Sequence, residues 1–269
     1  MPNIIKTRAE YDATIAINCS GMKHLLDSSP AHYKANLTAE KTESKALRMG
    51  SLVHHIVLEA IPATEKYAAI PENIDRRTKE GKAAYSAFEA ESVGKTILSN
   101  DEWKVCDYVA ASMVRAKDAI GVTFTATELM FSVDYCGVTL KSAIDAVGDD
   151  GYLYDLKSAE DASPKGWLQA ARNYRYALQA YFYRLAYEVA FGIRPKGFRF
   201  IVAEKEPPYE YAIYELGPEI MSYAVTDFEA GLKSYKSCMA LDEWPGYGSD
   251  IKVIDIATKA STAEPIKFA

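Results

Sequence analysis

Ala143 to Trp167 reads AIDAVGDDGYLYDLKSAEDASPKGW, two short apolar runs around a Gly-Asp-Asp-Gly turn. Asp145 lies in the first run, and Asp155 and Lys157 lie in the second. Residues of this type on either side of such a turn predict a β-hairpin. A three-residue loop, Asp149-Asp150-Gly151, needs its third residue in the left-handed region, which glycine enters without steric cost. Gly148 then faces Tyr152, and counting back sets Asp145 opposite Asp155, with Lys157 two residues along on the same face. Paired residues have Cβ atoms about 4.5–5.5 Å apart, so the carboxylates converge, and a divalent cation would neutralise them. A four-residue loop would turn Asp145 to the other face, and a solvated face would account for all three charges without a metal.

Outward from the hairpin, ELMFSVDY precedes it as a third strand starting at Glu128, and a long helix follows from about Pro164 to Phe191. GFRFIVAEK and YEYAIYEL read as a further strand pair, and PEIMSYAVTDFEAGLKSYKSCMA as a closing helix. The order strand, strand, strand, helix, strand, strand, helix predicts an α/β fold, a mixed central sheet flanked by helices. On the long helix, Arg172, Arg175, Gln179 and Tyr183 follow helical steps along one polar stripe. Trp167, Ala171, Tyr174, Leu178, Phe182, Leu185 and Val189 make an adjacent apolar stripe for the core.

Before Thr127 the texture is largely helical. Helices are expected from Ser20 to about Leu26, after the SPAHYK turn, and from about Ser44 to Ala60, the last with Leu47, Val53 and Val57 on one side. A basic loop, DRRTKEGKA, leads into another, and NDEWKVCDYVAASMVRAKDAI forms a further helix with Asn100 or Asp101 as N-cap. The chain therefore reads as a single domain over residues 1–269, helical over about 1–125, with a sheet-and-helix core over about 126–240.

Composition narrows the function. The 49 % hydrophobic and 25 % charged content is globular, and no repeat or low-complexity run interrupts it, so order is expected nearly throughout. A net charge of −6 argues against coating nucleic acid through the overall field. Any DNA contact must be local, and Arg76, Arg77, Lys79 and Lys82 form the densest basic cluster. The most apolar run, YALQAYFYRLAYEVAFGI, carries Gln179, Arg184 and Glu188, so neither membrane spanning nor secretion is expected, and the reading is cytoplasmic. Cys19, Cys106, Cys136 and Cys238 lack the spacing of zinc, iron–sulfur or disulfide frameworks.

AIDAV followed by YDLKS resembles the D-x(n)-(D/E)-x-K signature of the PD-(D/E)XK nuclease superfamily, and QAYFY resembles the Q-x-x-x-Y motif of its RecB-like branch. SPAHYK, MGSLVHHIVLE, RRTKEGKA, DLKSAEDASPKGW, NYRYALQAYFY and WPGY, in that order between about Ser20 and Ile256, are similar to the exonuclease VIII (RecE) nuclease domain of phage recombination systems.

The resemblance implies a restriction-endonuclease-like core in which Asp145 and Asp155 bind Mg²⁺, with Mn²⁺ as a substitute, and Lys157 serves the attacking water. It places Gln179 and Tyr183 at the catalytic site, His54 of G-x-x-x-H in the metal's shell and Glu128 as an additional acid, while His55 faces elsewhere. Gly50, four residues before His54, is read as leaving room for another backbone. Arg76, Arg77, Lys79, Lys82, Arg172 and Arg175 are the expected DNA contacts.

The implied activity is a Mg²⁺-dependent exodeoxyribonuclease that degrades one strand of linear duplex DNA from its 5′ end. It leaves 3′ overhangs for an annealing partner of the RecT kind, and family members act as ring-like homo-oligomers. A structure-specific endonuclease of the same superfamily, or a non-catalytic DNA-binding scaffold, are the alternatives; the intact Asp145, Asp155 and Lys157 set argues against the scaffold.

Overall fold

The computed structural model describes residues 2–39, 44–249 and 251. The part of the expected motif series that reaches Ile256 lies outside them. In chain order the first elements are β1 (Asn3–Ile5), α1 (Arg8–Ala13), α2 (Cys19–Asp27), α3 (Pro30–Thr38), α4 (Lys45–Leu58), β2 (Tyr67–Ala69), α5 (Lys79–Glu91), β3 (Thr96–Leu98) and α6 (Asn100–Ala119). They are followed by β4 (Phe124–Tyr135), β5 (Val138–Gly148), β6 (Tyr152–Ala159), α7 (Pro164–Asn173), α8 (Tyr176–Phe191), β7 (Gly197–Glu204), β8 (Tyr211–Glu215) and α9 (Pro218–Leu241).

The mixed central sheet has the strand order β1-β4-β5-β6-β7-β8. Its one parallel pair is β6 with β7, and α7 and α8 supply the crossover that a parallel pair requires. On one face α2, α8 and α9 pack around Met22, Phe131, Leu140, Phe182, Phe200 and Phe228. On the other, α4 and α6 pack around Leu52, Val109, Met113, Tyr154 and Ile201.

The β5–β6 turn has the expected three-residue form. Gly151 stands at φ +85° and donates its N–H to the Gly148 carbonyl at 3.1 Å. Val147 lies opposite Leu153 and Ala146 opposite Tyr154, the register counted from the sequence. The ladder ends there, so Asp145 and Asp155 lie in line one step further but are not a hydrogen-bonded pair.

The structure corrects several local expectations. The helix drawn from Pro164 to Phe191 is two helices, because Arg175 adopts a left-handed conformation, φ 48° and ψ 49°, between α7 and α8. The break shifts the helical phase, so Tyr174 is exposed while Leu178 and Phe182 remain core, and Arg172 and Arg175 do not share one stripe with Gln179. α6 is capped by Ser99, whose hydroxyl accepts the Glu102 N–H, not by Asn100 or Asp101. On α4, Leu47 is exposed although Val53 is buried. β4 begins at Phe124, four residues before the expected start at Glu128. The helical half also contains strands too short to show periodicity: β1 on the sheet edge, and β2 with β3 as a separate parallel pair.

Candidate active site

Three acids form a row across the sheet. Thr127 lies opposite Ala146 and Leu129 opposite Ile144, which sets Glu128 in line with Asp145, as Asp145 is in line with Asp155. Both ladders are interrupted at this row. Ala146 packs in the α4–α6 core while Ile144, two residues away, packs in the other. Residues two apart in a regular strand share a face, so β5 is kinked at Asp145. Glu128 answers on β4 with φ 48°, a left-handed conformation costing a non-glycine residue about 1–2 kcal/mol.

The interruption leaves the Leu156 backbone free on the β5 side. Its N–H donates to Asp145 Oδ2 at 2.8 Å, and its carbonyl lies 3.1 Å from His54 Nε2. A carbonyl only accepts, so Nε2 carries the proton, and in a neutral imidazole Nδ1 is then the lone-pair nitrogen. That nitrogen faces Asp145 Oδ2 at 3.7 Å and Glu128 Oε1 at 3.9 Å. The ligand atoms of His54, Glu128 and Asp145 all lie within 4.8 Å of one another. One imidazole lone pair and two carboxylates, with the imidazole's far side fixed by a backbone carbonyl, fit a divalent cation.

The charge balance points the same way. Burial opposes charge on His54, but Asp145, Glu128 and Asp155 together outweigh it, and without a cation the histidine pKa rises to about 9. Burial lifts Asp155 to about 6 against the attraction of Lys157, with Asp145 adding to the rise. The cation-free site thus favours a proton on His54, which a bound metal would displace.

Asp155 is buried and lies beside the cluster of His54, Glu128 and Asp145. Its carboxylate pairs with Lys157 and accepts a hydrogen bond from Gln179 Nε2. The Lys157 ammonium lies 5.2 Å from the centre of the Tyr176 ring. Burial disfavours its charge, but Asp155 and Asp145 reverse the shift and hold it protonated. Tyr183, one turn after Gln179, lines the same cleft with its hydroxyl pKa raised by burial. His54, Glu128, Asp145, Asp155, Lys157, Gln179 and Tyr183 therefore share one cleft of about 990 Å³.

His55 points away. It is 1 % exposed, with Nε2 3.1 Å from the Ile61 carbonyl and Nδ1 2.9 Å from Glu59. Gly50 lines the cleft, but a Cβ there would meet nothing within 4 Å, which corrects the expectation of a close backbone approach.

The expected DNA contacts lie elsewhere. Arg175 pairs with Asp27 and Asp227, so its charge ties α2 and α9 together, and Arg172 is exposed outside the cleft lining. Arg76 lies over the Tyr85 ring at 4.0 Å, Arg77 grips Asp75 at 3.0 Å, and Lys79 and Lys82 are exposed on α5; none of the four lines the cleft. The sequence reading missed the cleft wall made by Lys6, Arg8 and Tyr11. Its one local signal is T-x-x-E at Thr7 and Glu10, which forms a capping box at α1.

Residues 18–256 match the model of the PDDEXK-like domain of unknown function (DUF3799). The chain belongs to this PDDEXK-like family. Among solved structures, a candidate exonuclease from Eubacterium rectale superposes with a TM-score of 0.60 at 14 % identity, covering 92 % of each chain. At that identity the likeness shows a shared fold alone. The alkaline exonuclease LHK-Exo from Laribacter hongkongensis matches at TM-score 0.32 and 11 % identity, over 73 % of this chain and 94 % of that one. No curated protein matches the sequence. Among the described residues, no helix is long and apolar enough to cross a membrane.

Proposed function

We propose that the protein is a Mg²⁺-dependent exodeoxyribonuclease of the RecE type, removing one strand of linear duplex DNA from its 5′ end to leave 3′ overhangs. The observation that carries the reading is the convergence of His54, Glu128 and Asp145 beside the Asp155–Lys157 pair in one cleft. A divalent cation held by that trio would lower the pKa of a bound water and neutralise charge on the scissile phosphate.

The chain's own groups supply the rest. The Leu156 backbone fixes the directions of Asp145 and His54. Gln179 and Asp155 hold Lys157 at the edge of the trio. Held by Asp155 beside the trio, Lys157 would orient the attacking water and donate to phosphate oxygens as negative charge develops. Arg76, Lys79 and Lys82 on and before α5 are offered as outlying contacts to the DNA backbone. An annealing partner of the RecT kind, a ring-like homo-oligomer and a cytoplasmic setting complete the reading; a ring would gather the few basic residues inside and keep the acidic surface, net −6, outside.

The test is incubation with linear duplex labelled at either the 5′ or the 3′ end, and with a covalently closed circle, with and without Mg²⁺. Early release of the 5′ label, an intact circle and no reaction without metal are expected. Cutting of the circle would favour a structure-specific endonuclease instead.

A further inference from the structure

The family match begins at residue 18, yet the segment before it builds one wall of the cleft. β1 extends the sheet with Asn3, Ile4 and Ile5 opposite Ser132, Phe131 and Met130. After α1, the buried Lys141 of β5 sends its ammonium to the carbonyls of Tyr11 and Thr14, each at 2.8 Å, and of Asp12 at 3.4 Å. These carbonyls close the last turn of α1, where a cation is favoured. The segment is therefore tied to the strand that carries Asp145, and its Lys6, Arg8 and Tyr11 line the cleft of the three acids.

The cations on this wall are available. Lys66, also on the cleft, is committed to Glu59 at 2.6 Å, and Lys157 to Asp155. Lys6 has no acidic partner among the described residues. Arg8 has an exposed i,i+4 contact with Asp12 at 3.6 Å, of a kind worth about 0.3–0.5 kcal/mol and easily exchanged. A floor of Glu128, Asp145 and Asp155 repels a polyanion wherever a metal does not shield it, so a strand crossing the cleft needs positive charge on a wall.

We propose that Lys6 and Arg8 bind phosphate groups of the nucleic-acid strand whose scissile bond lies over the acids. The inference rests on the reading of the substrate as DNA.

The test measures binding of a fluorescent linear duplex across a salt series, in a Lys157→Ala background that prevents cutting. The Lys6→Ala/Arg8→Ala double variant should bind about 10-fold or more weakly. It should also lower the slope of log affinity against log salt by about 1.8, at about 0.9 per phosphate contact. Arg194→Ala, which removes an exposed cation remote from the cleft, should change neither, and Lys6→Arg/Arg8→Lys should restore both. Duplexes with 5′-phosphate and 5′-hydroxyl ends separate the two phosphate sources: equal losses assign internal phosphates, and a loss confined to the phosphorylated end assigns the terminal one. Unchanged affinity and slope in the double variant would overturn the inference. Cleavage by the otherwise unaltered chain is scored separately: binding through Lys6 and Arg8 without cleavage would remove the nuclease reading and leave this one standing.

Discussion

Leu156 contributes no functional side chain, yet its N–H orients Asp145 and its carbonyl orients His54. The sequence could show the spacing of Asp145, Asp155 and Lys157, because a strand's period and a glycine turn determine which residues share a face. It could not show that the ladder opens at that row, since nothing in Leu156 or Glu128 as residue types signals an unpaired peptide or a left-handed φ. Spacing alone showed Glu128 only as an acid near a strand, while the family resemblance made it an additional acid of the site; the matched kinks in β4 and β5 bring it into the trio. Two adjacent histidines give the residue-scale prediction. His54→Ala should raise the Mg²⁺ concentration needed for DNA hydrolysis by about 10–100-fold and leave the urea midpoint nearly unchanged. His55→Ala should lose about 1–3 kcal/mol of stability in urea unfolding, because it strands the Ile61 carbonyl and opens the core, with an unaltered Mg²⁺ requirement. The opposite pattern would exchange their roles.

Periodicity located α7 and α8 but not the break between them. No proline or glycine marks Tyr174–Arg175; the turn is held by tertiary charge, Arg175 with Asp27 on α2 and Asp227 on α9. Such partners lie far away in the chain, so helical spacing carries no sign of them. Glycines make the same point. Gly81 opens α5 beneath the Asp75 carbonyl, which a Cβ would approach to 1.8 Å, whereas Gly50 in α4 has open space. Gly81→Ala should therefore destabilise the protein by about 1–3 kcal/mol through overpacking. Gly50→Ala should stabilise it by about 0.5–1 kcal/mol, the ordinary gain for alanine in a helix. Urea denaturation of both variants checks the signs, and a destabilised Gly50→Ala would show that α4 packs more closely than the structure has it.

At the scale of the molecule, the order of the main strands and helices was readable because each is long enough for its period to show. β1, β2 and β3 have three residues each, too few for alternation, so the wall beside the acids was invisible. Motifs distant in sequence meet for structural reasons: Trp244 of WPGY stacks on Tyr33 of SPAHYK at 5.4 Å, and the Ala31 N–H donates to the Pro245 carbonyl at 3.1 Å. The thiols report the integrity of both cores. Cys19, Cys106 and Cys238 are buried and Cys136 is exposed. Burial raises the thiol pKa of Cys19 to about 11 and of Cys106 to about 12. Native protein at pH 8 should therefore react with iodoacetamide at Cys136 alone and at all four cysteines after unfolding; rapid native labelling of Cys19 or Cys106 would contradict the packing. The claim on which the functional account turns is the place of the cation, and anomalous diffraction from Mn²⁺-soaked crystals locates it directly. The account predicts a peak about 2.0–2.3 Å from His54 Nδ1 and from carboxylate oxygens of Glu128 and Asp145. A peak bound without His54, or no peak in this cleft at saturating Mn²⁺, would contradict it.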